Sequence, residues 1–267
     1  MGKKQKAAGR KQPAADKPQR TRVFVVGESP LVEEYAELCA AKGYQVFMKW
    51  NKAPNKLPTF SSKAIQRTNS LPAKTSIAIE LTNGDREQKQ NNLQMIDRTL
   101  PPTAPIVSSS VTISATEQTT WLKQKHRLVG VGALPSFTQH PLYEIAPTVY
   151  TPKETVEVVQ RFFQSLGKEI EVVQDRVGMV LPRIVCQLVN EATFAVQEEV
   201  ASPQDIDIAM KLGTNYPYGP IEWGNRIGFQ HIYHVLRALQ ADLQEDRYRI
   251  SPLLTALAQT GEWWKKT

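Results

Sequence analysis

Four residues, Val23-Phe24-Val25-Val26, run apolar without a break into Gly27. A β-branched run with no polar alternation is the pattern of a strand covered on both faces, as in a parallel sheet. Leu31 to Lys42 follows with helical spacing. Leu31, Tyr35, Leu38 and Cys39 share one face, and Gly43 marks the stop. Tyr44–Met48 is a second strand, so the chain opens β-α-β and commits to a parallel sheet. Residues 51–75 are polar and proline-spotted and read as a loop region with at most short elements. "SIAIEL" (76–81), "PIVSSS" and "RLVGVG" are three more buried strands, and Arg86–Leu100 is a helix ended by Pro101-Pro102. The first 150 residues therefore read β-α-β-loop-β-α-β-α-β.

The pattern changes after Thr151. "TPKETVEVVQRFFQSLG" opens as a capping box, with Thr151 as N-cap, Pro152 at the first helical position and Glu154 reaching back. "EIEVVQ" is a last strand, and from Pro182 onward the sequence is helical. A long helix covers 183–200, a second starts at Ser202-Pro203, a third spans Gly228–Gln244, and a fourth runs from Ser251-Pro252 to Gly261. The expected organisation is a basic tail at 1–22, an α/β Rossmann-like domain at 23–177, and an all-α domain at 178–267.

Charge is unevenly placed. Of 33 Lys and Arg and 26 Asp and Glu, eight basic and one acidic residue fall in residues 1–22, leaving 25 of each in the rest. That tail has no large apolar residue after Met1 and cannot bury enough surface to fold, so it reads as a solvated extension able to contact an acidic partner. No apolar run is long enough to span a bilayer. Cys39 and Cys186 lie far apart in sequence and suit a reducing, cytoplasmic compartment. No His/Cys cluster has metal-ligand spacing.

The turn after the first strand is where a dinucleotide would bind. Such a loop needs three glycines: one for the turn, one for close approach of the pyrophosphate, and one for helix–strand packing. Those places hold Gly27, Ser29 and Val32. Pro30 removes an N–H that would face the phosphate, and Glu33 and Glu34 add negative charge. The second strand should end in an acidic residue for the ribose, yet it ends Lys49-Trp50-Asn51. Gly27, Ser29 and Lys49 are the candidate cofactor contacts, and a Rossmann shape without a cofactor is the alternative.

"VASPQDIDIAMKLGTNYPYGPIEWGNRIGFQHIYHVLRAL" closely resembles the C-terminal domain of 3-hydroxyacyl-CoA dehydrogenases, which shows an "ASxxDIDxAMKLGxGYPxGPxE" run. Upstream, "LGKEIEVVQDRVG" resembles the family's domain junction, "LGKxPVxVKDxPG". The resemblance implies a Rossmann-like domain followed by a helical domain that forms a homodimer. It also implies NAD-dependent oxidation of the 3-hydroxyl of a fatty acyl-CoA. In that family a His takes the hydroxyl proton, a Glu orients the His, and a Ser and an Asn hold the reacting oxygens.

Carried over position by position, the "NTSS" Ser falls at Val111, the "HFFNP" His at Gly132, and the "PGFxxNR" Asn at Pro182. The Glu is retained as Glu144 in "PLYEIA". A further family Glu falls at Gly84, while Glu80 in the preceding strand is kept. The family's helical hairpin after the second strand is missing. A base within hydrogen-bond reach is required for the proton, and Gly132 supplies none. His140 is the nearest substitute, although in an extended chain it lies about 13 Å from Glu144. Ser109 and Ser110 offer hydroxyls at a strand end as candidate substrate contacts. Trp263-Trp264 would finish a core or meet a partner.

Three readings follow. The first is a family member with lost or weakened dehydrogenase chemistry that retains an acyl-CoA-shaped cleft or a dimerising role. The second is an active dehydrogenase with a rearranged site using Glu144 and His140. The third is a binding module whose basic tail finds an acidic partner.

Overall fold

The computed structural model describes residues 21–261. Its first part is an eight-stranded sheet whose strands and helices alternate as the apolar runs predict. They are β1 (Arg22–Gly27), α1 (Leu31–Ala41), β2 (Gln45–Trp50), β3 (Ile65–Arg67), β4 (Ile77–Leu81), α2 (Arg86–Thr99), β5 (Ile106–Ser109), α3 (Ala115–Gln118), β6 (Leu128–Val131), β7 (Leu142–Pro147), α4 (Lys153–Ser165) and β8 (Glu169–Val172). The order across the sheet is β3-β2-β1-β4-β5-β6-β7-β8. All neighbours are parallel except β6 and β7, which run antiparallel. Strand order reverses between β1 and β4, which places a crevice at their C-terminal ends.

Helices cover both faces. On one, Leu31, Val32, Tyr35, Ala36 and Cys39 of α1 and Val159, Phe162 and Phe163 of α4 pack against Val23, Val25, Ile77 and Ile79. On the other, Leu93 and Ile96 of α2 pack against Phe24, Val26, Ala78 and Ile106. This double covering is why the strands read as unbroken apolar runs instead of alternating ones.

The remainder is helical: α5 (Leu181–Gln197), α6 (Pro203–Thr214), α7 (Pro220–Ile227), α8 (Phe229–Leu243) and α9 (Pro252–Thr260). Its core of Val185, Val189, Trp223, Ile232, Leu236 and Leu254 also takes in Val111, Leu134 and Phe137 from loops of the sheet domain. The two parts therefore share buried surface.

Several sequence expectations change. Thr151 is not the N-cap of α4. Its hydroxyl donates to Leu128 O at 2.6 Å and accepts from Thr148 N at 3.0 Å, so Pro152 holds the cap position without a side-chain bond. Strands β3 and β7 and helix α7 were not legible as elements. β3 has three residues, β7 follows a proline, and α7 is an eight-residue helix lying against α8 with only Gly228 between them. No helix occurs among residues 51–75. Trp263 and Trp264 and all but the last two residues of the basic tail lie outside the described residues.

Candidate functional site

The crevice at the ends of β1, β2 and β4 opens into a cleft of about 540 Å³ lined by Glu28, Asn51, Lys52, Asp85, His231 and His234, among others. Gly27 is required there. Its φ is +150°, and a Cβ would lie 2.5 Å from the backbone carbon of Leu81. The glycine thus serves the close packing of β1 on β4. Ser29 donates to Glu33 Oε1 at 2.7 Å. Lys49 sits inside β2 opposite Val26, and the lysine that lines the cleft is Lys52.

Glu28 dominates this cleft, and the glycine pattern gave no hint of it. Its carboxylate accepts the Asn83 N–H at 2.9 Å and the Gly84 N–H at 3.4 Å, and His231 Nδ1 of α8 lies 3.6 Å away. Burial, the largest single effect, pushes this carboxyl up. His231 and the two N–H groups outweigh it and hold the group below the usual carboxylate value. Glu34, in the first turn of α1, accepts the Ser136 N–H at 2.9 Å and the Thr138 hydroxyl at 2.9 Å. Burial raises its pKa. Two carboxylates therefore occupy the end of β1 and the start of α1, where a dinucleotide fold presents N–H groups to phosphate.

Behind the cleft lies a buried polar network. Glu80 pairs with Lys89 of α2 and accepts from Thr82 N at 3.0 Å and Ser108 Oγ at 3.0 Å. Asn92 donates to Asn51 Oδ1 at 2.8 Å, and Asn51 donates to Thr82 at 2.7 Å. The Asn51 side chain, at the ribose end of β2, is thus committed to this network. The candidate serines are turned inward as well. Both are fully buried: Ser109 donates to Ala133 O, and Ser110 donates to Ser108 O and accepts from Gln118.

At the domain junction the positions assigned by the resemblance do meet. A Cβ on Gly132 would lie 3.6 Å from Glu144 Oε2, 3.5 Å from Met179 Sδ and 3.5 Å from Pro182 Cγ. The backbone carbonyl of Val111 accepts the Gly178 N–H at 3.1 Å. The Glu144 carboxylate is 8% exposed and accepts the N–H groups of Val180 at 2.9 Å and Leu181 at 2.7 Å. Those are open donors at the start of α5, and an acceptor there also suits the helix dipole. Pro182 fits the same turn, where its missing N–H costs nothing. Position 84 is more crowded than position 132: a Cβ there would lie 2.9 Å from His234 Nε2.

His140 and Glu144 are not brought together. His140 is half-buried. Its ring stacks on Trp223 of α7, with centroids 5.2 Å apart and planes 20° apart. Burial first, and then the Lys168 charge, lower its pKa. Among the described residues no group of three or more His, Cys, Asp or Glu is arranged to hold a metal ion, and no helix is long and apolar enough to cross a membrane.

Comparison with known proteins places this architecture. Residues 58–176 match the model for the NAD binding domain of 3-hydroxyacyl-CoA dehydrogenase, and residues 178–267 match that of its C-terminal domain. The chain belongs to the 3-hydroxyacyl-CoA dehydrogenase family. It is 42% identical over 119 residues to the Escherichia coli 3-hydroxyadipyl-CoA dehydrogenase. That match covers 44% of this chain and 25% of the E. coli protein. It is 28% identical over 204 residues to a probable 3-hydroxybutyryl-CoA dehydrogenase of Bacillus subtilis, covering 76% of this chain and 71% of that one. The crystal structure of (S)-3-hydroxybutyryl-CoA dehydrogenase from Ralstonia eutropha superposes with a TM-score of 0.74 at 26% identity, covering 91% and 95% of the two chains. Mycobacterium tuberculosis FadB2 shares the fold, with a TM-score of 0.79 at 21% identity over 91% and 94%.

Proposed function

We propose that this chain is a 3-hydroxyacyl-CoA dehydrogenase family member in which the dehydrogenase chemistry has been lost, and that it works as a dimeric binding or structural subunit. One observation carries the reading. The position that should present the catalytic His is Gly132, and the side chains closing around it are Met179 and Pro182, with Glu144 engaged by the start of α5. Proton abstraction needs a base within about 3 Å of the hydroxyl. Neither Val111 nor Pro182 supplies a polar side-chain atom to hold a reacting oxygen.

The NAD cleft supports the same reading. When bound, NAD supplies the hydride acceptor of the family reaction. Here Glu28 and Glu34 occupy the phosphate end and Pro30 lacks an N–H, so the residues present do not fit a pyrophosphate. Acyl-CoA is the ligand class left to test. A homodimer is supported by α6, which has no buried residue and exposes Ile208 (52%) and Leu212 (82%) one turn apart. Such a face is covered by a partner in a stable assembly.

The test is a thermal-shift panel of NAD, NADP, CoA and acetoacetyl-CoA, run beside an assay of acetoacetyl-CoA reduction by NADH, since ligands of the folded state raise its melting temperature. The expected result is no shift with NAD or NADP and no turnover above the buffer rate. Turnover abolished by Glu144→Gln would instead establish an active, rearranged site.

A further inference from the structure

In a parallel sheet every strand is entered at the same edge, so the segments before the strands form one surface. The described residues among the five preceding each of the six parallel strands β1 to β6 are 21, 40–44, 60–64, 72–76, 101–105 and 123–127. Together they hold six Lys or Arg and no Asp or Glu. The five residues following the same strands hold Glu28, Asp85, Lys52 and Arg86, two of each sign. The charge is therefore sorted by edge, in a chain whose residues beyond 22 carry equal numbers of both signs.

One of the six, Arg127, is buried against Asp97 and does not contribute to the surface. Lys42, Lys63, Lys74 and Lys123 are exposed, as is Arg98 in the last turn of α2 at the same edge. Lys125 lies over the ring of Tyr150, 4.8 Å from its centroid, and that ring is half exposed. Arg22 anchors the exit of the basic tail here by donating to Ala73 O at 2.9 Å, next to Lys74. The edge continues past Tyr150 into the start of α4, where Lys153 accompanies Glu154 and Glu157.

We infer that this edge binds the phosphate backbone of single-stranded nucleic acid. The surface lies opposite the cleft at the C-terminal strand ends, so it is separate from the family's site. A row of lysines spread over several loops matches a chain of phosphates, and Tyr150 gives a base a ring to stack on. A membrane fits less well. Residues 2–20 contain no large apolar side chain, and a polybasic segment anchors stably to a bilayer only with a second, apolar signal.

The experiment is fluorescence anisotropy of a labelled single-stranded oligouridylate with the full chain, titrated at several salt concentrations. Binding should weaken steeply with salt, with a slope of about 0.7 per phosphate contact. Lys63→Glu/Lys74→Glu/Lys123→Glu should weaken binding at 0.1 M salt by at least about tenfold at an unchanged melting temperature, because each lost contact is about fivefold there. Should that variant fold poorly, the Lys→Gln set carries the same test. The inference is overturned by absence of oligonucleotide binding at low salt, by equal affinity of the folded lysine variant, or by binding to phosphatidylserine vesicles but not to the oligonucleotide.

Discussion

Glu144→Gln is the substitution whose meaning changes most with the account given above. In a working family enzyme this Glu orients a histidine, and its loss is read in turnover. Here its carboxylate closes the start of α5 through two hydrogen bonds of 2.9 and 2.7 Å from Val180 and Leu181. A hydrogen bond to a charged acceptor is worth about 1.5–3 kcal/mol. The amide keeps one oxygen and turns its NH₂ toward the second N–H, so one bond is lost, a cost of about 2 kcal/mol. For a chain of this size about 1 kcal/mol moves the melting temperature by roughly 2–4 °C. Glu144→Gln should therefore melt about 4–8 °C lower by calorimetry, and Glu144→Ala lower still, with both N–H groups unmatched. A melting temperature within a degree of the parent would refute the capping role.

Other expectations follow from the same contacts. Gly27→Ala should cost more than about 4 kcal/mol and give little folded protein on expression, because its Cβ would overlap the backbone of Leu81. His140→Phe keeps the ring on Trp223 and removes a proton site. The His140 pKa is lowered from 6.5, so the unfolded chain takes up the proton first and stability falls as pH drops below that value. The variant should lose less stability than the parent between pH 7 and pH 5 in urea titrations. The Glu28 pKa is lowered from 4.5, so its contribution is present above that pH and fades as pH falls through the folded value. Glu28→Gln should flatten the acid limb of the stability curve. The proposed dimer should be seen by light scattering in the parent chain and be lost in Leu212→Glu on α6.

The fold was legible because its causes are local. Covered parallel strands are predominantly apolar on both faces, and β1, β4, β5 and β6 stand out for that reason. The text most like the family also has local structural causes. Ser202 caps α6 by accepting the Asp205 N–H at 3.2 Å. Asp207 caps α7 by accepting from Ile221 at 2.8 Å and Glu222 at 3.0 Å. Gly219 is required because a Cβ there would lie 2.2 Å from Asp207 Oδ1. What the resemblance preserves best in the helical domain is thus helix capping, which does not depend on catalysis.

The site was only half legible. The resemblance assigned the family's Ser, His and Asn to Val111, Gly132 and Pro182, and the sequence shows Ser29 and Val32 where a dinucleotide loop has its second and third glycines. What filled the space could not be read. The partners of Gly84 and Gly132 come from α8 and from the segment before α5, remote in sequence and unmarked by any motif. Glu28 sits at a position where the glycine pattern allows any residue, so nothing distinguished a carboxylate that reaches Asn83 and Gly84. Ser109 and Ser110, at the end of β5, looked available because sequence does not report which way a hydroxyl turns. β7 went unread because its pairing with β6 and β8 is entirely non-local.

The most direct check of whether carboxylates have replaced the cofactor's phosphates is a titration of the full chain with NADH, followed by the change in its fluorescence. The account predicts no saturable change up to millimolar NADH in the parent chain. A saturable signal in the micromolar range, competed by NAD, would contradict it.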